Sequence, residues 1–108
     1  MYYNKEGKEI SLQDYAKLFE DWNYKRVKVS KVYNWAISTV WLGLDHSYGE
    51  NNKPLIFETM VFNEIGDSVD CQRYATLEEA QKGHRKILND LIHKLKTLSI
   101  NRELLPGG

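Results

Sequence analysis

Apolar positions recur at helical spacing near both ends of the chain and alternate along its middle. A first helix is predicted to begin at Ser11, which can act as its N-terminal cap, and to end near Trp22. Its apolar stripe is Leu12, Tyr15, Ala16, Phe19 and Trp22. Thr76 and Glu79 form a Thr-x-x-Glu capping box that predicts a long second helix to about Leu98. Its stripe is Ala80, His84, Ile87, Leu88, Leu91, Leu95 and Leu98.

The segments between the two helices have the composition and alternation of β-strands. Strands are predicted over residues 24–32, 35–44, 55–62 and 68–74, with turns or loops between them. Three direct connections favour an antiparallel meander. The predicted fold class is therefore α+β: a four-stranded antiparallel meander sheet flanked by an N-terminal and a long C-terminal helix. The chain should form one domain, with a turn or small hairpin around Gly7 in residues 1–10 and a flexible tail at 103–108.

Two of the predicted strands are apolar on both faces. In the third strand, Leu55, Phe57 and Val61 lie on one side, and Ile56, Met60 and Phe62 lie on the other. One sheet face is expected to pack on the helices, and the other needs a cover or becomes an adhesive patch. The N-terminal helix or a second copy of the chain could supply it. A homodimer through this face is the preferred prediction, because two-fold dimers dominate soluble oligomers.

The balance of charged residues indicates which kinds of molecule the protein can bind. The 108 residues include 15 basic and 15 acidic side chains, so the formal net charge is zero. A balanced chain is a poor general binder of nucleic acid, which requires phosphate neutralisation. The single cysteine, Cys71, excludes an intrachain disulfide. No apolar signal core or membrane-length run occurs, so the expected location is the cytoplasm, away from membranes.

Polar residues within the apolar pattern are candidates for a site. Glu58 is a charged residue in the otherwise apolar third strand. A hairpin of the third and fourth strands would bring Arg73 opposite it. The two residues are interpreted either as a structural ion pair or as a ligand-binding pair. His84 lies on the buried stripe of the second helix, directly after Gly83. Because glycine destabilises a helix, its presence indicates that another part of the chain packs closely against the helix at this point. His84 is interpreted either as a core histidine bonded to a backbone carbonyl or as a pocket residue shared with His46.

The end of the second strand offers a further candidate, because Asp45 and His46 lie where it enters a polar loop. Such loops often carry function, although Asp45 could simply bond backbone amides. The spacing of Asp45, His46, Glu58 and His84 matches no metal-site signature, and no metal or cofactor is predicted. A Cys71–histidine nucleophilic pair is disfavoured, since a mid-strand cysteine is expected to be buried and inert.

Four blocks of the sequence resemble a family of small phage and prophage proteins, most of them uncharacterised. The blocks are "FEDWNYKRV", "STVWLGLDHSYG", "PLIFETMVF" and "CQRYATLEEAQKGH", which together span most of the chain. The resemblance implies a phage or mobile-element origin and supplies no reaction. Asn51, Asn52 and Lys53 stand where the family often has a Gly-Pro-rich turn.

Three hypotheses for function follow. The first is a non-enzymatic binding protein that sequesters a small anionic or nucleotide-like ligand, in a counter-defence role suggested by the phage resemblance. The candidate ligand-binding residues are Trp41, Asp45, His46, Tyr48, Glu58, Arg73, Tyr74 and His84. The second is an inhibitor or adaptor that binds a host protein through the outer sheet face or its edge. The third, with the least support, is a metal-dependent or acid–base hydrolase using His46, Glu58 and His84.

Overall fold

The computed structural model describes residues 1–45 and 53–104, with backbone alone for 99–104. The α+β fold class is confirmed. In chain order the elements are β1 (Tyr2–Tyr3), β2 (Glu9–Ile10), α1 (Leu12–Glu20), α2 (Trp22–Lys25), β3 (Arg26–Val32), β4 (Trp35–Trp41), β5 (Phe57–Phe62), β6 (Ser68–Tyr74) and α3 (Leu77–Leu104).

Strands β3 to β6 form the predicted antiparallel meander, with spatial order β3-β4-β5-β6. Strand β4 ends at Trp41, three residues before the predicted end at Leu44. Gly43 there has a φ of 74°, a conformation that ends a regular strand and that glycine adopts at little cost. The amides of Leu42 and Gly43 both donate to the Ile56 carbonyl. Strand β5 correspondingly begins at Phe57, later than predicted.

The N-terminal helical region is interrupted. Asp21 ends α1 and caps α2, because its carboxylate accepts hydrogen bonds from the Asn23 and Tyr24 amides. Residues 24 and 25, predicted as strand, therefore belong to a helical turn. The predicted hairpin in residues 1–10 forms around Gly7, which has a φ of 81°.

Helix α3 is longer than the sequence pattern indicates. Thr76 caps its start as predicted, since the Thr76 hydroxyl accepts from the Glu79 amide and the Glu79 carboxylate accepts from the Ala75 amide. The helix then continues through Leu104, so the first two residues of the predicted flexible tail are helical.

One face of the sheet, here called the inner face, carries the core. Two apolar clusters lie between it and α3. The first contains Trp41, Ile56, Phe57, Tyr74 and Ala80, and the second contains Ile37, Val61 and Leu91. Ile56, predicted on the opposite side, is only 1 % exposed, because it precedes the regular strand and turns into the first cluster.

Helix α1 also packs beside the inner face. The Tyr15 hydroxyl donates to the Leu42 carbonyl, and its ring lies 5.6 Å from that of Trp41. Tyr15 and Leu18 make the core contacts of the helix. The predicted stripe was otherwise wrong, since Leu12, Phe19 and Trp22 are exposed. The backbone carbonyl of Tyr3 accepts a hydrogen bond from the Trp41 indole, so the N-terminal hairpin also lies at that end of the sheet.

The opposite, outer face is not covered by any helix in the part of the chain that the structure describes. Its side chains form three rows across β3 to β6, as the strand register defines them. The rows are Arg26, Val40, Glu58 and Arg73; Val29, Ser38, Met60 and Cys71; and Lys31, Ala36, Phe62 and Ser68.

Candidate functional site

A buried polar layer separates the two apolar clusters. It consists of Ser30, Thr39, Thr59 and His84, which come from β3, β4, β5 and α3. The His84 Nδ1 atom lies 2.7 Å from the Thr39 hydroxyl, and Nε2 lies 2.8 Å from the Ser30 hydroxyl. The Thr39 and Thr59 hydroxyls are 2.5 Å apart. Both ring nitrogens therefore have partners, which a histidine that is 1 % exposed requires.

The sequence prediction for His84 was partly right. It is a core histidine, but hydroxyl groups, rather than a backbone carbonyl, are its partners. Burial lowers the pKa of His84 from its ordinary value of 6.5, and the positive charge of Lys28 lowers it further. The ring is therefore neutral at pH 7, with one nitrogen donating and the other accepting.

We expect the stability of the fold to depend on this titration. A lowered pKa in the folded state means that the unfolded chain binds the proton more readily. The free energy of unfolding should therefore decrease as the pH falls below about 6.5, the pKa of an unperturbed histidine. Urea unfolding at pH 7.5 and 5.5 measures this decrease. The variant His84→Gln should show a smaller decrease than wild type, whereas the exposed control His93→Gln should keep the wild-type decrease.

Gly83 makes the close approach that its place in the helix predicts. A Cβ atom at this position would collide with the Tyr74 ring and its hydroxyl group. The Tyr74 hydroxyl is buried and has no hydrogen-bond partner among the described residues. The phenol ring thus fills the space left by the absent side chain and fixes the start of α3 against β6.

A basic groove opens beside His84, between the β3 edge and α3. It has a volume of about 330 Å³ and is lined by Val27, Lys28, Gln81, His84, Arg85 and Leu88. None of these six lining residues is acidic. Within residues 1–45 and 53–98, neither Lys28 nor Arg85 forms an ion pair. Two cations therefore flank a groove with apolar walls contributed by Val27 and Leu88.

The remaining predicted site residues lie elsewhere. The Trp41 side chain is fully buried and donates to the Tyr3 carbonyl, so its ring is part of the core. Asp45 accepts a bond of 3.3 Å from the Leu55 amide, the backbone role foreseen for it. His46 and Tyr48 lie outside the described residues. The prediction that His46 shares a pocket with His84 therefore also concerns residues that the structure does not describe.

Glu58 and Arg73 face each other on the outer face, as predicted. The Arg73 Nε atom donates to Glu58 Oε2 at 2.9 Å. Cys71, contrary to the prediction of a buried thiol, is exposed and lies 3.4 Å from the same carboxylate oxygen. Partial burial and this carboxylate raise the pKa of the Cys71 thiol, which disfavours a thiolate nucleophile. Cys71 and His84 lie on opposite sheet faces and form no pair.

The structure thus divides the predicted site. Trp41 and Tyr74 lie on the inner face, and His84 of α3 packs against that face, whereas Glu58 and Arg73 lie on the outer face. Sequence reasoning missed the partners of His84 and the groove residues beside it. One signal was available: Thr39 and Thr59 occupy the middle of two otherwise apolar inner faces, where a hydroxyl needs a partner. The proximity of Lys28 to Arg85 depends on tertiary packing.

In comparisons with known proteins, no family model, curated protein or solved structure matches this chain. Among the described residues, none of the helices is both long and apolar enough to cross a membrane. Likewise, residues 1–45 and 53–98, whose side chains the structure describes, contain no cluster of three or more His, Cys, Asp or Glu side chains suited to a metal ion.

Proposed function

We propose that the protein is a non-enzymatic binding protein that sequesters a small anion of the nucleotide class. One observation carries this proposal: Lys28 and Arg85, both without an ion-pair partner among the described residues, flank the basic groove. Cations without carboxylate partners are available to an incoming anion. Arginine is well suited to this task, because its planar guanidinium can donate two parallel bonds to a phosphate group.

The other lining residues favour an anion that also carries a flat, partly apolar group. Val27 and Leu88 provide apolar contact, and the exposed amide of Gln81 can donate to or accept from the edge of a base. The volume of about 330 Å³ is near the lower limit for small-molecule sites. A mononucleotide, or one half of a larger nucleotide, suits that size.

The chemistry of the groove favours binding over turnover. His84 is the natural acid–base candidate there, but both ring nitrogens are already bonded to hydroxyl groups of the core. A general base needs a nitrogen within reach of the substrate proton. The hydrolase hypothesis, which also required Glu58, would have to join residues from two opposite sheet faces.

The biological setting of the proposal comes from the resemblance to phage proteins. A phage-encoded protein that binds a nucleotide tightly would lower the concentration of a host signalling molecule. We accordingly place the protein in the host cytoplasm, in a counter-defence role. The alternative hypothesis is that the outer face of the sheet, or its edge, binds a host protein.

A thermal-shift and calorimetric titration with AMP, ADP and 3′,5′-cyclic AMP tests the proposal. A ligand present at 100 times its dissociation constant should stabilise the fold by about 2.7 kcal/mol. Arg85→Glu should weaken binding at least about tenfold, since it removes a charge-assisted contact and adds a repulsive charge. Lys86→Glu is the matched control, because Lys86 is the next residue on the same helix and does not line the groove.

The outcomes separate clearly. Equal affinity for wild type and Arg85→Glu would place the ligand elsewhere. A lack of any shift with all three nucleotides at millimolar concentration would contradict the sequestering function. If Lys86→Glu weakened binding as much as Arg85→Glu does, the loss would come from the change in net charge and not from a contact in the groove.

A further inference from the structure

The basic groove and the buried polar layer have one titratable side chain in common. His84 lines the groove together with Lys28 and Arg85, yet only 1 % of its surface is exposed. An anion in the groove therefore acts on the ring through its charge and without a direct contact, because charges interact over several ångströms in a poorly solvated site.

The partners of the ring can satisfy two protonation states. In the neutral ring, one nitrogen donates to a hydroxyl group and the other accepts from one. In the protonated ring both nitrogens donate, so the Ser30 and Thr39 hydroxyls must both accept. Thr39 can then donate to Thr59, since these two hydroxyls are bonded to each other and either can be the donor. Unlike a backbone carbonyl, which only accepts, the hydroxyl layer could therefore also satisfy a charged ring.

The electrostatic surroundings of the ring are one-sided. Burial and the positive charge of Lys28 on β3 oppose its protonation, and Arg85 of α3 is the second cation beside it. The polar-layer residues of β4 and β5, Thr39 and Thr59, are uncharged. Strand β6 places the Tyr74 hydroxyl, which is neutral in the acidic range, against the same turn of α3. Among the described residues that line the groove or bond to the ring, none is acidic.

We infer that an anion bound in the basic groove and a proton bound by His84 stabilise each other. This inference rests on the anion site of the proposed function. Each binding step supplies a charge opposite to the one that the other step brings, and such a coupling is reciprocal. Anion binding should therefore take up a proton, and the affinity for an anion should increase as the pH falls below about 6.5.

An NMR titration of the histidine rings tests the coupling from the side of the proton. Sulfate is a suitable probe, because its charge does not change over the pH range of the titration and it carries no base. Compared with sodium chloride at matched ionic strength, sodium sulfate should move the titration midpoint of His84 to higher pH. The midpoint of the exposed His93 should stay in place. An equal movement of the His84 midpoint in the Arg85→Glu variant would overturn the inference, because the effect would not come from the groove.

Calorimetry with 3′,5′-cyclic AMP tests the coupling from the side of the ligand. Its phosphodiester keeps one negative charge over this pH range, so any proton uptake belongs to the protein. The heats measured in two buffers of different ionisation enthalpy give the number of protons taken up. The affinity should be at least about threefold higher at pH 5.5 than at pH 7.5. His84→Gln should remove most of this difference and His93→Gln should keep it, with thermal unfolding verifying that both variants fold.

The two titrations separate this inference from the proposed function. Binding of cyclic AMP with equal affinity at both pH values and without proton uptake would overturn the inference and leave the proposed function intact. A His84 midpoint that sulfate moves, in a protein that binds none of the three nucleotides, would support the coupling and contradict the nucleotide ligand. A His84 midpoint that neither sulfate nor cyclic AMP moves overturns the inference.

Discussion

The variant His84→Leu should lose about 3 kcal/mol of unfolding free energy, a large part of the stability of a domain of this size. Leucine approximates the volume of the ring but leaves the Thr39 and Ser30 hydroxyls without their histidine partner. Thr39 is fully buried, so no water replaces the lost bond without rearrangement. Urea unfolding at pH 7.5 measures the loss.

A compensated variant distinguishes the polar layer from simple packing. Replacing His84 by Leu together with Thr39→Val and Thr59→Val removes the buried hydroxyls as well as their partner. Because apolar replacement of both partners of a buried hydrogen bond can be nearly neutral, the triple variant should recover at least about 1 kcal/mol relative to His84→Leu, although the half-buried Ser30 hydroxyl still lacks its histidine partner. A triple variant less stable than the single one would contradict the view that the Thr39 and Thr59 hydroxyls are costly without their histidine partner.

Gly83→Ala is expected to destabilise the protein by about 2 kcal/mol, although alanine is favoured over glycine in a helix by about 1 kcal/mol. The added methyl group would overlap the Tyr74 ring, which is held between β6 and α3. Helix and ring must therefore separate. The measurement is again the free energy of unfolding, with Gln81→Ala as an exposed control on the same helix.

The cause can be verified by changing the ring. In a Tyr74→Leu background the obstructing atoms are absent, so Gly83→Ala should become neutral or stabilising. A Gly83→Ala variant that is more stable than wild type in the presence of Tyr74 would contradict the close approach. The two substitutions therefore form a double-mutant cycle. Gly83→Ala should be less destabilising in the Tyr74→Leu background than in the wild type.

The elements whose neighbours are close in sequence were predictable. The hairpin between β5 and β6 aligns Glu58 with Arg73, because a short turn leaves little freedom in register. The capping box at Thr76 likewise identified the start of α3. The prediction of the buried face of α1 was wrong, because apolar residues occur on more than one side of this helix. Tyr15 and Leu18 are the ones that pack against the cluster containing Trp41.

The site was less predictable than the fold. Sequence reasoning identified His84 and Gly83 as unusual but could not identify Ser30, which lies 54 residues from His84 and bonds to it. Trp41 and Tyr74 were assigned to a ligand because aromatic residues serve both cores and pockets, and the core uses these two. Lys28 and Arg85 line the same groove only because α3 packs across the sheet.

The polar layer also bears on the order in which the chain folds. Each strand of the meander pairs with its neighbour in sequence, and contacts between segments that are close in sequence form quickly. The bonds of His84 instead join positions 45 and 54 residues apart, and closing longer loops costs more chain entropy. We therefore expect the meander to form before α3 docks on it. The hydroxyls of Ser30 and Thr39 should then favour the one position of α3 in which both nitrogens of His84 have partners.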